Sequence, residues 1–162
     1  MKKRRGALIT TLIGTMMGAI AGGVTIKKTS AKAVMEKQET LNKVHVLYCA
    51  FDCWLKIHQE GKTLVDYFKK NNYKTIAIYG MKELGERLVD ELKGSDIKVC
   101  YAIDKKADQI YADVNVLMPD EELEPVDVIV VTAIYYFDEI EAMLSSKVEY
   151  PIVSLEDILY EV

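Results

Sequence analysis

Apolar and polar residues follow three different patterns along this chain. Residues 6–26 contain no charged side chain, and residues 31–59 contain neither proline nor glycine. From residue 73 onward, short β-rich apolar runs alternate with amphipathic stretches of about ten residues. The three patterns predict an apolar helix within residues 1–30, a helical connector over 31–72 and an α/β domain over 73–162.

The alternation in the last part predicts the order of the secondary structure. Strands are expected at 75–79, 97–103, 114–118, 127–132 and 151–153, and helices at 82–93, at 137–145 and after residue 154. Strands that alternate with helices of this length imply crossover connections and therefore a parallel sheet. We expect a small sheet in the order 3-2-1-4-5 with flanking helices, and a ligand site where the direction of strand order reverses.

The uncharged stretch 6–26 is long enough to cross a bilayer as a single helix. We therefore expect a retained, single-pass membrane anchor; a cleaved signal peptide or a peripheral or soluble helix are the alternatives. Gly14, Gly18 and Gly22 repeat every four residues, a spacing that lets two membrane helices approach closely and predicts self-association there. Basic residues flank this stretch almost equally on both sides, so the positive-inside rule does not orient it. We expect the domain in the cytoplasm because of its predicted fold.

The connector has apolar residues spaced alternately three and four apart between Leu41 and Leu55. This is a heptad spacing, but it covers only about two and a half repeats. Leu47, Ala50 and Trp54 widen the apolar stripe, which favours a helix packed on the α/β domain. Self-association through the stripe is the alternative.

Charge and cysteine content exclude two classes of function. The formal net charge is −4, and no basic stripe interleaved with aromatic residues is present in the predicted domain, so nucleic acid is not an expected partner. The three cysteines include no CxxC pair, and neither histidine lies near a cysteine pair with zinc-ligand spacing. We expect no metal site, and reduced thiols that are mostly buried.

The turn after the first predicted strand resembles a phosphate-binding turn. It reads Gly80-Met81-Lys82-Glu83-Leu84-Gly85, which has the first and third glycines of the G-x-G-x-x-G fingerprint and a lysine in place of the second. Asp104 follows 24 residues after Gly80, at the end of the second strand, where an acidic residue can bind ribose hydroxyls. A nucleotide ligand is one interpretation, and glycines kept only for packing are the other.

A family resemblance extends over residues 50–162. The run YFKKNNYKTIAIYGMKELGERLVDELKGSDIKVCYAID, followed by DVIVVTA and PIVSLEDIL, is similar to the Rossmann-like domain attached to bacterial sugar methyltransferases and surface-polysaccharide enzymes. It also resembles the nucleotide-sugar-binding subdomain that precedes some sugar acyltransferases. The resemblance implies NAD(P) or a nucleotide sugar as ligand, and Lys82 departs from the family's usual GMGxLG turn. The implied ligand positions are Gly80, Met81, Gly85, Asp104, Thr132 and Ala133.

No catalytic residues are predicted. Tyr101 and Lys105 have the YxxxK spacing of short-chain dehydrogenases, but they fall at the end of a predicted strand instead of on a helix. We also expect no substrate domain beside the sheet within these 162 residues. We therefore expect a membrane-tethered, non-catalytic module that binds a nucleotide or nucleotide sugar near envelope polysaccharide synthesis. The alternatives are a scaffold with a degenerate nucleotide site and an NAD-dependent sugar-modifying enzyme completed by a partner chain.

Overall fold

The computed structural model describes residues 31–162 in full, and of residues 4–30 it gives only their place in the first helix. The elements, in chain order, are α1 (Arg4–Gln59), α2 (Leu64–Lys70), β1 (Thr75–Tyr79), α3 (Glu83–Leu92), β2 (Lys98–Ile103), β3 (Val116–Leu117), β4 (Val128–Val131), α4 (Phe137–Leu144), β5 (Ile152–Ser154) and α5 (Leu155–Glu161). Short 3-10 turns occur at Ala107–Gln109 and Ile134–Tyr136.

The five strands form one parallel sheet in the order β3-β2-β1-β4-β5. The predicted α/β class, parallel sheet and strand order are therefore confirmed. Strand β1 lies at the centre, and its apolar residues Ile76, Ala77 and Ile78 are fully buried, as expected of a strand covered on both faces. Strand β3 is shorter than predicted, because only Val116 and Leu117 pair with β2.

Each face of the sheet has its own apolar core. In the sheet, β2 and β3 lie on one side of β1, and β4 and β5 lie on the other. Because crossover connections are right-handed, the helices that follow β1 and β4 cover opposite faces of the sheet. On one face, α2, α3, α5 and the end of α1 pack around Phe68, Leu88 and Ile158. On the other face, α4 packs through Ile140 and Leu144.

The compact unit that contains the sheet begins at His45, and residues up to Val44 form a separate unit. Among the residues described in full, no helix is long and apolar enough to cross a membrane. The predicted anchor at 6–26, with Gly14, Gly18 and Gly22, lies outside those residues. The anchor and its glycine face therefore stay predictions.

The last turns of α1 pack on the domain, and the partly buried Leu47 and the stripe residue Phe51 contact the same core. Ala50, Trp54 and Ile57 are buried in the core shared with α2, α3 and α5. The stripe residues Tyr48 and Leu55 are instead exposed. The end of α1 thus carries two apolar faces, and only one of them is covered by the domain.

The carboxylate of Glu91 on α3 joins three helices. It accepts hydrogen bonds from the indole Nε1–H of Trp54 on α1 and from the backbone N–H of Leu64 at the start of α2, the latter at 2.6 Å. His58 Nε2 lies 3.1 Å from the same carboxylate. The Glu91 side chain is only 9% exposed, so these donors replace the water that a carboxylate needs.

Replacing Glu91 with alanine should strongly destabilise the domain. The substitution leaves the Trp54 and Leu64 donors without an acceptor in a buried place, and we expect a loss of about 2–4 kcal/mol in the free energy of unfolding. Asp90→Ala is the matched control, because Asp90 is the residue next to Glu91 and makes only exposed ion pairs, with Arg87 and Lys93. This substitution should change the free energy of unfolding by no more than about 0.5 kcal/mol. Urea unfolding of the full chain measures both; equal losses would contradict this role for Glu91.

Asp127 fixes the start of β1 beside the start of β4. Its carboxylate accepts the backbone N–H groups of Lys74 and Thr75 at 2.7 and 2.8 Å. These two hydrogen bonds to the ionised form lower the pKa of Asp127 below its usual value.

This lowered pKa predicts a specific acid sensitivity. Because the folded-state pKa lies below the unfolded one, the contribution of Asp127 to stability is present above about pH 4 and is lost as the pH falls through the folded pKa. Asp127→Asn should therefore flatten the dependence of unfolding free energy on pH below about pH 4. Denaturant unfolding between pH 2 and 6 tests this; an unchanged slope would refute it.

Candidate functional site

The carboxyl ends of β1 and β4 lie side by side at the centre of the sheet. Tyr79 pairs with Val131 at the last position of these two strands. The chain then leaves β1 toward α3 on one face and leaves β4 toward α4 on the other. In open α/β sheets, the place where the chain diverges in this way is the usual ligand position.

Gly80 adopts a left-handed backbone with φ of +99° directly after β1. A Cβ atom there would lie 2.9 Å from Thr132 Oγ1 and 3.3 Å from the backbone nitrogen of Ala133. The buried Thr132 hydroxyl donates to the carbonyl oxygen of Gly80 at 2.5 Å. The turns after β1 and β4 are therefore in direct contact, and both the conformation and the space require glycine at position 80.

Gly85 allows the first turn of α3 to lie on the turn after β1. A Cβ atom at Gly85 would overlap the carbonyl oxygen of Gly80. This is the role of the third glycine in the dinucleotide fingerprint, which permits close contact between helix and strand. The glycines predicted from the sequence thus meet at one place, and both have a structural reason to be there.

Asp104 is engaged with the backbone around this turn. One carboxylate oxygen accepts the N–H of Met81 at 3.0 Å, and the other accepts the N–H of Lys106 at 2.9 Å. The side chain of Met81 is buried in the core under α3. Asp104 therefore lies beside the turn as predicted, whereas Met81 contributes its backbone and not a ligand-facing side chain.

Lys82 is the N-terminal cap residue of α3. Its backbone is extended, its side chain is exposed, and that side chain makes no capping hydrogen bond to the N–H groups that begin the helix. Such N–H groups have no partner inside the helix and can bind an anion. Glu83 and Glu86 lie in the same first turn, so negative charge opposes the cation at Lys82.

Two aromatic features near this edge are not evident in the fingerprint. Among the residues described in full, the hydroxyl of Tyr79 is buried and has no hydrogen-bond partner. Burial, and secondarily the charge of Asp104, raises the pKa of Tyr79. Tyr135 and Tyr136 follow β4 with their rings 5.2 Å apart in an edge-to-face arrangement. The sequence contained two signals for these features. Tyr79 is the last residue of the apolar strand β1, and the Tyr135-Tyr136 pair follows the apolar strand β4.

Tyr101, the tyrosine of the YxxxK spacing, has a structural role. Its hydroxyl donates to the carbonyl oxygen of Glu124 at 2.6 Å and lies 3.2 Å from the hydroxyl of Tyr150. Burial, with the Tyr150 hydrogen bond, raises the pKa of Tyr101. In the part of the chain described in full, no group of three His, Cys, Asp or Glu side chains could hold a metal ion.

A cavity of about 190 Å³ lies beside α3, away from the predicted turn. Arg87 and Lys93 line it together with Tyr111 and Asp113 of the segment between β2 and β3. Lys93 is already paired with Asp113 at 2.9 Å. Of the predicted site residues, only Met81 reaches this cavity, so the cavity and the turn are different places.

Comparison of this chain with protein-family models, with curated proteins and with solved structures gives no match. The resemblance to polysaccharide-related domains therefore stays a prediction from the sequence.

Replacing Gly85 with alanine tests whether close contact explains this glycine. The added methyl group would have to displace the carbonyl of Gly80, and we expect a loss of about 3 kcal/mol or more in the free energy of unfolding. Glu86→Ala, at the next and exposed position of the same turn, should cost no more than about 1 kcal/mol. Thermal unfolding of the two variants gives the comparison, and a Gly85 variant as stable as the native chain would disprove the contact.

Proposed function

We propose that this chain is a membrane-tethered, non-catalytic Rossmann-like module that binds a nucleotide or nucleotide sugar at the carboxyl ends of β1 and β4. The main support is the left-handed turn at Gly80, which leads into a helix whose N-cap residue, Lys82, makes no side-chain capping hydrogen bond. The tether is the uncharged stretch 6–26. A role near envelope polysaccharide synthesis follows from the family resemblance.

A phosphate group would bind at the start of α3. The N–H groups of its first turn, together with the positive end of the helix dipole, favour an anion. Lys82 adds a cation at the same point, whereas its side chain takes the space that a second glycine would leave for a pyrophosphate. This arrangement favours a ligand with a single phosphate at the edge of the turn over a dinucleotide that lies deep in the turn.

A sugar would bind next to Asp104. Each carboxylate oxygen has two lone pairs, and each accepts one backbone N–H, so both retain capacity for a hydroxyl group. An acidic residue at the end of the second strand is where ribose hydroxyls bind in nucleotide-binding α/β domains. The ligand would thus extend from the start of α3 toward the end of β2.

A scaffold with a degenerate nucleotide site is the second candidate. The observation that favours it is the hydrogen bond from Met81 N–H to Asp104, which uses part of the turn's binding capacity inside the protein. Glu83 and Glu86 also add negative charge where a phosphate would lie. In this case, Gly80 and Gly85 serve only the packing of the turn on its neighbours.

Ligand-dependent thermal unfolding of the full chain separates the two candidates. The full chain is needed because Ala50, Trp54 and Ile57 belong to the core. NAD, NADP, UDP-sugars, CoA and ATP are tested in turn. A ligand at about 100 times its dissociation constant adds about 2.7 kcal/mol, which in a domain of this size raises the unfolding midpoint by about 10 °C.

Charge reversal at the turn provides the control for this measurement. Lys82→Glu should weaken binding at least about tenfold, because it removes the cation beside the phosphate position. Lys70→Glu places the same change at the exposed end of α2 and should leave the ligand-induced shift unaltered. No shift with any ligand would support the scaffold, and equal binding by both variants would exclude the turn as the phosphate site.

A further inference from the structure

Tyr79 is the last residue of β1 and directly precedes the turn at Gly80. Its side chain is 3% exposed and packs in the core on the α4 face of the sheet. Among the residues described in full, its hydroxyl is the only buried side-chain oxygen or nitrogen that has no hydrogen-bond partner. Neither the phosphate position at the start of α3 nor the sugar position at Asp104 accounts for this hydroxyl.

A second tyrosine on the same face shows how the fold satisfies a buried hydroxyl. Tyr101 lies in the neighbouring strand β2, is 4% exposed and belongs to the same core. Its hydroxyl donates to the carbonyl oxygen of Glu124 and lies within hydrogen-bond distance of the Tyr150 hydroxyl. A buried hydroxyl without such partners lowers the stability of the folded chain, because it has lost its bonds to water. The Tyr79 hydroxyl is therefore a donor that the chain itself does not satisfy.

Tyr79 lies at the same edge of the sheet as Asp104. It pairs with Ile103, the last residue of β2, and Asp104 follows Ile103 directly. Burial, and secondarily the charge of Asp104, raises the pKa of Tyr79, so the two groups lie close enough to interact. The Tyr79 hydroxyl therefore keeps its proton at neutral pH and is available as a donor.

The donor of Tyr79 and the acceptors of Asp104 together define the kind of ligand group that can bond to both. The ionised carboxylate of Asp104 only accepts, and its oxygens retain lone pairs after their bonds to the N–H groups of Met81 and Lys106. An alcohol hydroxyl can accept from Tyr79 and donate to Asp104. An ionised phosphate oxygen only accepts, and the charge of Asp104 repels it. A ribose has two such hydroxyls on adjacent carbon atoms, so it fits this pair of residues.

We propose that the Tyr79 hydroxyl donates a hydrogen bond to a ribose hydroxyl of the bound nucleotide, and that Asp104 accepts from the same ribose. The inference rests on the proposed nucleotide site and adds a ligand-binding residue to it. The hydroxyl is buried in the free chain, so the ligand reaches it by displacing the side chains that cover it. The bond that forms offsets the cost of the unpaired donor. Tyr79 thus selects ligands that carry a ribose over phosphate alone.

Two matched substitutions in the full chain without ligand separate an unpaired hydroxyl from a paired one. Tyr79→Phe should raise the midpoint of thermal unfolding by about 3 °C or more, since it removes a buried donor that has no partner. Tyr101→Phe should lower the midpoint, because the hydroxyl that it removes is hydrogen-bonded. A Tyr79→Phe chain less stable than the native chain would overturn the inference, because the hydroxyl would then be paired with an ordered water or another part of the chain.

Isothermal titration calorimetry of the same full-length variants tests the bond to the ligand. The probes are NAD, NADP, UDP-glucose, CoA and ATP, each of which carries a ribose with at least one free hydroxyl. Tyr79→Phe should weaken the binding of any probe that the native chain binds by roughly five- to tenfold, and Tyr101→Phe should leave it unchanged. Equal binding by the native and Tyr79→Phe chains would reject this inference alone. Binding of none of the probes by the native chain would reject the proposed function and this inference together.

The 2′-deoxy and 3′-deoxy forms of the bound nucleotide identify the hydroxyl that Tyr79 contacts. In the native chain, one of these forms should bind roughly five- to tenfold more weakly than the parent nucleotide. In Tyr79→Phe, this difference should shrink at least about threefold, because the protein partner of the missing hydroxyl is already absent. A difference of the same size in both chains would show that Tyr79 does not bond to the ribose, and the inference would fail.

Discussion

The buried carboxylate of Glu91 is the interaction on which the arrangement of the helices most depends. A carboxylate that is nearly removed from water needs several donors, and α1 and α2 provide them from the Trp54 indole and the Leu64 backbone. The hydrogen bonds fix the end of α1 and the start of α2 against α3. Because α3 begins at the turn after β1, the same contact also holds the helix whose N-terminus forms the candidate site.

Close packing shapes the candidate site. Gly80, Gly85 and Thr132 bring two loops and a helix into contact, and this contact alone accounts for both glycines. The uncapped start of α3 and the exposed Lys82 remain available to an anion. Whether the chain holds a ligand thus depends on the balance between the α3 dipole with Lys82 and the three carboxylates of Glu83, Glu86 and Asp104.

The domain covers only one side of the end of helix α1. Its inner face contributes Trp54 and Ile57 to the core, whereas Tyr48 and Leu55 remain exposed on the other side.

The sequence by itself determined the α/β class, the strand order and the position of the turn. Buried parallel strands must be short apolar runs, and Gly80 and Gly85 stand at fixed offsets from the strand they follow. The tertiary structure decided which face of α1 is covered and that Asp104 binds the N–H of Met81. It also decided that Glu91 joins three helices. These contacts join residues far apart in the chain, and local spacing shows that a helix has apolar faces but not which face another element will cover.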